Sequence, residues 1–268
     1  MPESNNSNNA SLMLNQNNFL RWFNQPGPES GLLPRPFIGD GKPKEGPALV
    51  VLVPGETYYY YVNAATMPAG DWKLLNGAGV EVGGVNHTLS EITFLAGKHG
   101  YGSFSLSGNV KPGVYRIKSG NLYSNVVEVM ATADAERYSR VFSFKSPNKL
   151  LDFYWPYLPV DYRQAFRLKC NLTDQQPEHD KEVYREATTG RTRNFKSFPR
   201  WFYKINFLET EPDNCRALAV MLECDELYIA GKRVSFKSGL KLNTSLTTTY
   251  VNSECEVYDD DFTALNYC

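Results

Sequence analysis

The chain has 268 residues, 42% of them hydrophobic, enough to bury a substantial core in one or two domains. A net charge of −1 with dispersed Lys and Arg argues against a nucleic-acid binder, which carries a basic stripe. No run reaches the ~18 apolar residues that span a bilayer, and Met1 to Asn9 has neither the basic nor the apolar segment of a signal peptide.

Residues 1–46 read as an extended N-terminal arm, Asn- and Ser-rich at first and forced straight by Pro26, Pro28, Pro34 and Pro36. Asn17 and Asn18 can cap one or two helical turns carrying Phe19, Leu20, Trp22 and Phe23. Such an aromatic cluster either folds back on its own domain or docks on a partner subunit. The docking alternative makes Phe19, Trp22 and Phe23 the partner-binding residues.

Residues 47–131 alternate strand and turn. Val50 to Val53, Thr57 to Val62, Asp71 to Leu75, Thr88 to Leu95, Tyr101 to Leu106, Val114 to Lys118 and Tyr123 to Val129 are separated by Pro54-Gly55 and by the Gly-rich stretches 77–84 and 97–102. Short strands with turn signals at this spacing predict an immunoglobulin-like β-sandwich. Ala131 to Glu136 has few large apolar groups and reads as a linker.

The stretch 138–268 predicts a second β-rich domain with one short helix, so the fold class is mainly β. Strands are expected within Tyr162 to Leu172, Tyr184 to Thr188 and Arg193 to Leu208, and Trp155 to Pro159 is an aromatic, Pro-rich connection. Glu211-Pro212-Asp213-Asn214 starts a helix running to about Leu222, because Pro suits the first turn and acidic groups suit its positive end. Ala230-Gly231-Lys232 then turns a β-hairpin between Leu227, Ile229 and Val234, Phe236, and Lys237 to Val257 adds another.

Convergent polar groups are scarce. His87 and His99 fall in Gly-rich loops and His179 in the polar loop 174–181, and none has the spacing of a metal or triad motif. Gly97 to Gly102 has no helix behind it to hold a phosphate and reads as a loop. The carboxylate candidates are Asp225 with Glu226, Glu178 with Asp180, and Asp259 to Asp261. Neighbours on a strand point to opposite faces, and the last trio lacks the spacing of a calcium loop. Cys170, Cys215, Cys224, Cys255 and Cys268 form no CxxC pair and read as reduced, hydrophobic thiols, with one or two disulfides the alternative for a protein that works outside a cell, and no metal and no cofactor are expected. The basic stretch Arg185 to Arg200 reads as a solvated strand face with its aromatics turned inward. Sugar stacking needs only exposed rings, for which Tyr58 to Tyr61, Trp72, Trp155 and Tyr157 are available. Alternation places two of the four tyrosines inward and two outward.

Thr188 to Arg193, then Tyr203, Lys204 and Ile205, then Ala217 to Leu222, then Cys224 to Lys232 resemble a module of structural virion proteins from crAss-like phages, which infect Bacteroides-type bacteria. The resemblance covers about a fifth of the chain and implies a polar strand, a partner strand, a short helix and a hairpin, in adaptor, ring, tail or fibre parts that are not catalytic. The first domain adds an immunoglobulin-like resemblance common in phage virion proteins and in surface proteins of the same bacteria. The expectation is a non-enzymatic virion protein, assembled in the bacterial cytoplasm as a homo-oligomer with other virion proteins, without nucleic acid or membrane. Host-surface glycan is a further expected partner class. The alternative is a carbohydrate-binding surface module of a Bacteroidetes-type bacterium.

Overall fold

Alternating β-formers become paired strands along the chain. The computed structural model describes residues 19–23, 48–63, 68, 70–94, 97–107, 110–147, 158–210, 212–244 and 251–260, and the protein is mainly β. The first strands are β1 (Trp22–Phe23), β2 (Val50–Leu52), β3 (Thr57–Asn63), β4 (Trp72–Asn76), β5 (Glu81–Phe94), β6 (Gly97–Leu106), β7 (Gly113–Ser119), β8 (Leu122–Ser124) and β9 (Val127–Val129). Helix α1 (Thr132–Tyr138) leads into β10 (Ser139–Lys145), β11 (Gln164–Lys169), β12 (Asn171–Leu172), β13 (Gln176–Arg185) and β14 (Thr192–Thr210). Helix α2 (Pro212–Leu222), β15 (Glu226–Ile229), β16 (Lys232–Thr244) and β17 (Val251–Asp259) complete the order.

Eight strands close a ring: β11, β2, β9, β7, β4, β5, β6, β3 and back to β11. All its pairings are antiparallel except that of β2 with β9. Strand β5 makes the closure, because Val85 pairs with Trp72 of β4 and with Leu106 of β6. Gly83 and Gly84 sit at this crossing, where a Cβ on Gly84 would meet Ser107 Oγ at 2.9 Å. Inside the ring Tyr58, Tyr60, Trp72, Phe104 and Ile117 are buried.

A second ladder grows from the same strand. β11 pairs with β10, β10 with β15, and the order continues through β16, β17 and β14 to β13. After Cys170 the chain shifts sideways, and β12 joins β14. α2 buries Cys215, Leu218, Met221 and Leu222 at helical spacing against this ladder's core. The hairpin turn has Ala230 at φ 50 and Gly231 at φ 82, both left-handed as a type I′ turn requires.

Several expectations are corrected. Gly97 to Gly102 is the start of β6, not a loop: a Cβ on Gly102 would lie 1.9 Å from the Thr88 carbonyl oxygen, so glycine there admits close backbone approach. His87, His99 and His179 therefore lie on β5, β6 and β13. The stretch read as a linker is helical, since α1 occupies 132–138 with Ala135 buried. Ser139 Oγ donates to the Ala135 carbonyl at 2.6 Å and Arg167 Nη1 donates at 3.2 Å, which ties this helix to the sheet. Trp22 and Phe23 form a strand beside Ser124 and Tyr123 rather than a helical turn. Thr188 to Arg191 is the turn between β13 and β14, closed by Gly190 at φ 69, where the resemblance implies a strand. Most of the arm, Trp155 to Tyr157, Asp261 and Cys268 lie outside the described residues.

Candidate binding surface where the two ladders meet

The shared strand β11 carries a row of side chains on the face away from the core. Tyr59 pairs with Ala165, Ala165 with Ser143, Ser143 with Tyr228, and Tyr228 with Arg233. The alternate residues Tyr58, Tyr60, Phe142, Phe144, Phe166, Leu227 and Ile229 are buried, which fixes the direction of the row. Adjacent strands lie about 4.8 Å apart, so the two tyrosines stand roughly 14 Å from each other across Ala165 and Ser143. The small residues make the floor of a trough of about 430 Å³.

Its wall is the turn Pro159–Tyr162, closed by the Tyr162 amide donating to the Pro159 carbonyl at 2.9 Å. Tyr162 is buried and donates its hydroxyl to the Tyr60 carbonyl. Its ring meets Tyr59 edge-on at 6.4 Å and Tyr101 at 5.2 Å. Burial pushes its phenol well above the ordinary range, so it remains protonated. Tyr59 is 43% exposed. Arg163 pairs with Glu226 at 2.7 Å and lies 4.4 Å above the Tyr228 ring. Lys145 donates to the Val160 carbonyl. Asp161 is exposed, and neither its carboxylate nor Ser143 Oγ has a partner among the described residues.

The predicted site residues fall elsewhere. Phe19 and Trp22 are buried in the chain's own core, Phe19 against Phe144 and Phe166 and Trp22 against Trp72 at 4.9 Å. The Asn125 amide holds this segment by donating to the Phe19 carbonyl at 3.0 Å. At these two positions the cluster folds back, and the docking assignment is corrected because no ring surface is left over. The side chain of Phe23 lies outside the described set. Among the rings named for sugar stacking, Tyr58, Tyr60 and Trp72 are interior. Tyr61 faces outward yet is buried, bonded to His99 Nδ1 at 2.7 Å. Tyr59 alone of the four consecutive tyrosines is exposed.

The carboxylates do not converge. Asp225 accepts from Ser146 Oγ at 2.9 Å, Asp259 from Tyr203 and Gln175, and Asp260 from Ser235. Glu178 pairs with Lys237 at 3.1 Å and accepts from Tyr258. No group of His, Cys, Asp or Glu that could hold a metal occurs among the described residues. Cys170 and Cys255 are free and buried, and burial pushes both thiols up to about 12. A second hollow beside the trough is lined by Arg140, Arg167 and Gly231, but the Arg167 guanidinium is already taken by Glu56.

Sequence reasoning missed the trough because its floor is defined by pairing between strands far apart in the chain. The one available signal was the exposed parity of Tyr59 in a run of tyrosines. Comparison with protein-family models, curated proteins and solved structures gives no match.

Proposed function

We propose that this chain is a non-enzymatic structural component of a bacteriophage virion, a tail, fibre or capsid-attached adaptor part that assembles as an oligomer with other virion proteins. The observation that supports it most is the double use of β11. One edge of this strand bonds β2 and β3 and the other bonds β10, which joins both ladders in one hydrogen-bonded body. Bodies fixed in this way hold distant surfaces at constant separation, as a repeating particle needs.

The β13 edge supports the assembly reading, since β13 pairs only with β14 among the described residues. An open edge accepts a further strand from a partner. With Phe19 and Trp22 interior, the contact surfaces move from the arm to such edges. The finer fold reading is an immunoglobulin-like sandwich. The pairing of β3 with β6, of β4 with β7, of β7 with β9, and of β2 parallel to β9 supports it, with β5 crossing between the two layers.

Light scattering on the purified chain, alone and mixed with capsid and tail proteins from the same genome, tests the function. A discrete oligomer or a co-complex is expected. A monomer that joins none of them overturns it.

A further inference from the structure

We propose that the trough between Tyr59 and the turn Pro159–Arg163 binds a neutral saccharide, with one sugar ring seated on the exposed ring of Tyr59. Three features of the site carry this, and none depends on the assembly reading. The concavity is built: Ala165 and Ser143 occupy the floor beside Tyr59 on one cross-strand row, the turn from Pro159 to Arg163 rises over it, and a larger residue at either floor position would fill it. The volume of about 430 Å³ lies within the range of small-ligand sites.

Tyr59 is also fixed before any ligand arrives. Its strand is bonded to β6 on one side and β11 on the other, and Tyr162 meets its ring edge-on. A ring held this way loses little freedom on binding, and its apolar face suits the C–H face of a pyranose.

Charge decides the class of sugar. Of the residues lining the trough only Arg163 and Asp161 are charged, so the lining is neutral overall, and Arg163 is committed to Glu226 and to the Tyr228 ring. An anionic ligand gains no net attraction there. Among the described residues, the groups without a partner are the Asp161 carboxylate, which accepts hydrogen bonds, and the Ser143 hydroxyl, which donates and accepts. That pair matches sugar hydroxyls.

The test uses the full chain with the methyl glycosides of glucose, galactose, mannose and N-acetylglucosamine and with linear tetrasaccharides of each. Saturation-transfer NMR detects binding and titration calorimetry measures it. At least one neutral member is expected to bind saturably. Tyr59→Ala should weaken it tenfold or more, Tyr59→Phe should retain it, and Ser143→Tyr should abolish it by filling the floor. Both positions face away from the core, and an unchanged thermal melt verifies each variant's fold. Should Ser143→Tyr fail to fold, Asp161→Asn on the exposed turn replaces it, with a severalfold loss expected. No binding by any member overturns the proposal, as does binding indifferent to Tyr59→Ala or tighter binding of glucuronate or sialic acid. The mass of the assembled chain should not change in Tyr59→Ala, which separates this result from the assembly test.

Discussion

The ring and the hairpin sheet place their aromatic side chains under opposite physics. In the ring, Trp72 is 2% exposed and packs against Trp22 at 4.9 Å, Tyr60 at 5.0 Å and Phe104 at 5.6 Å, with His87 stacked flat on it at 4.5 Å. In the sheet β13–β14–β17–β16, Phe202 and Tyr258 stand on the outer face and are covered by cations. Lys237 Nζ lies 3.3 Å from the Phe202 centroid, and Arg200 lies 5.1 Å from that of Tyr258. The ring's aromatics are held by removing apolar surface from water, and those on the outer face of the sheet by charge at the boundary with water. The two should therefore fail under different insults.

The sharpest break is Trp72→Ala. Removing a ring that four others touch should cost about 3–5 kcal/mol, seen as a shifted denaturant midpoint. Its partner Trp22 should become solvent-exposed by fluorescence, since β1 depends on that contact. The parallel truncation Phe202→Ala should cost about 1 kcal/mol, because a half-exposed ring loses less transfer energy. Equal losses would erase the contrast.

Gly102→Ala comes next. The added Cβ would stand 1.9 Å from the Thr88 oxygen, which also accepts from the Tyr60 hydroxyl at 3.0 Å. Backbone must move, and about 1–3 kcal/mol should be lost from the ring. Gly239→Ala in the hairpin sheet is the control, because a Cβ there meets nothing within 4 Å. If both substitutions melt alike, the close-approach account of Gly102 is wrong.

Acid and alkali separate the two regions by sign. The Lys237 hydrogen bond holds the Glu178 carboxyl below its ordinary range, and Lys204 does the same for Glu254. A carboxylate depressed in the fold stabilises above its unfolded pKa of about 4.3 and loses that contribution as pH falls through the folded value. Burial pushes the Tyr58 and Tyr60 phenols upward. These groups stabilise below the unfolded value of about 10, and the contribution is lost as pH rises beyond it. Below about pH 4, amide exchange in 176–202 should quicken before that in 57–62, and above about pH 10 the near-ultraviolet dichroism of the ring should fade first.

Strands of the ring were legible in the sequence, since they follow local alternation: Thr57 to Val62 and Val114 to Lys118 were found within a residue or two, while the closure of the ring through β11 was not. Helix α2 and the Gly231 hairpin were legible for the same reason, as caps and turn residues act over a few positions. What escaped depends on distance. Glycines 97, 100 and 102 look like a loop until β3 and β5 flank them, and Ala131 to Glu136 looks like a linker until Arg167 binds its end. The trough was hidden because Tyr59, Ala165 and Ser143 meet only through register.

The smallest effect probes the charged side of the contrast. Lys237 covers Phe202 and reaches Glu178 at 3.1 Å and Glu256 at 3.4 Å. Lys237→Met keeps the aliphatic stem over the ring and deletes the charge. The cost should be about 0.5–1 kcal/mol, as for a cation over an aromatic at a partly exposed site with screened ion pairs. Raising salt from 0.05 to about 1 M should shrink the difference between wild type and variant, because screening over about 3 Å removes what the charge supplied. Trp72→Ala should keep its full cost in the same salt series, since burial of apolar surface is not screened. A Lys237→Met cost that ignores salt would assign the cover of Phe202 to packing and bring the two regions under one physics after all.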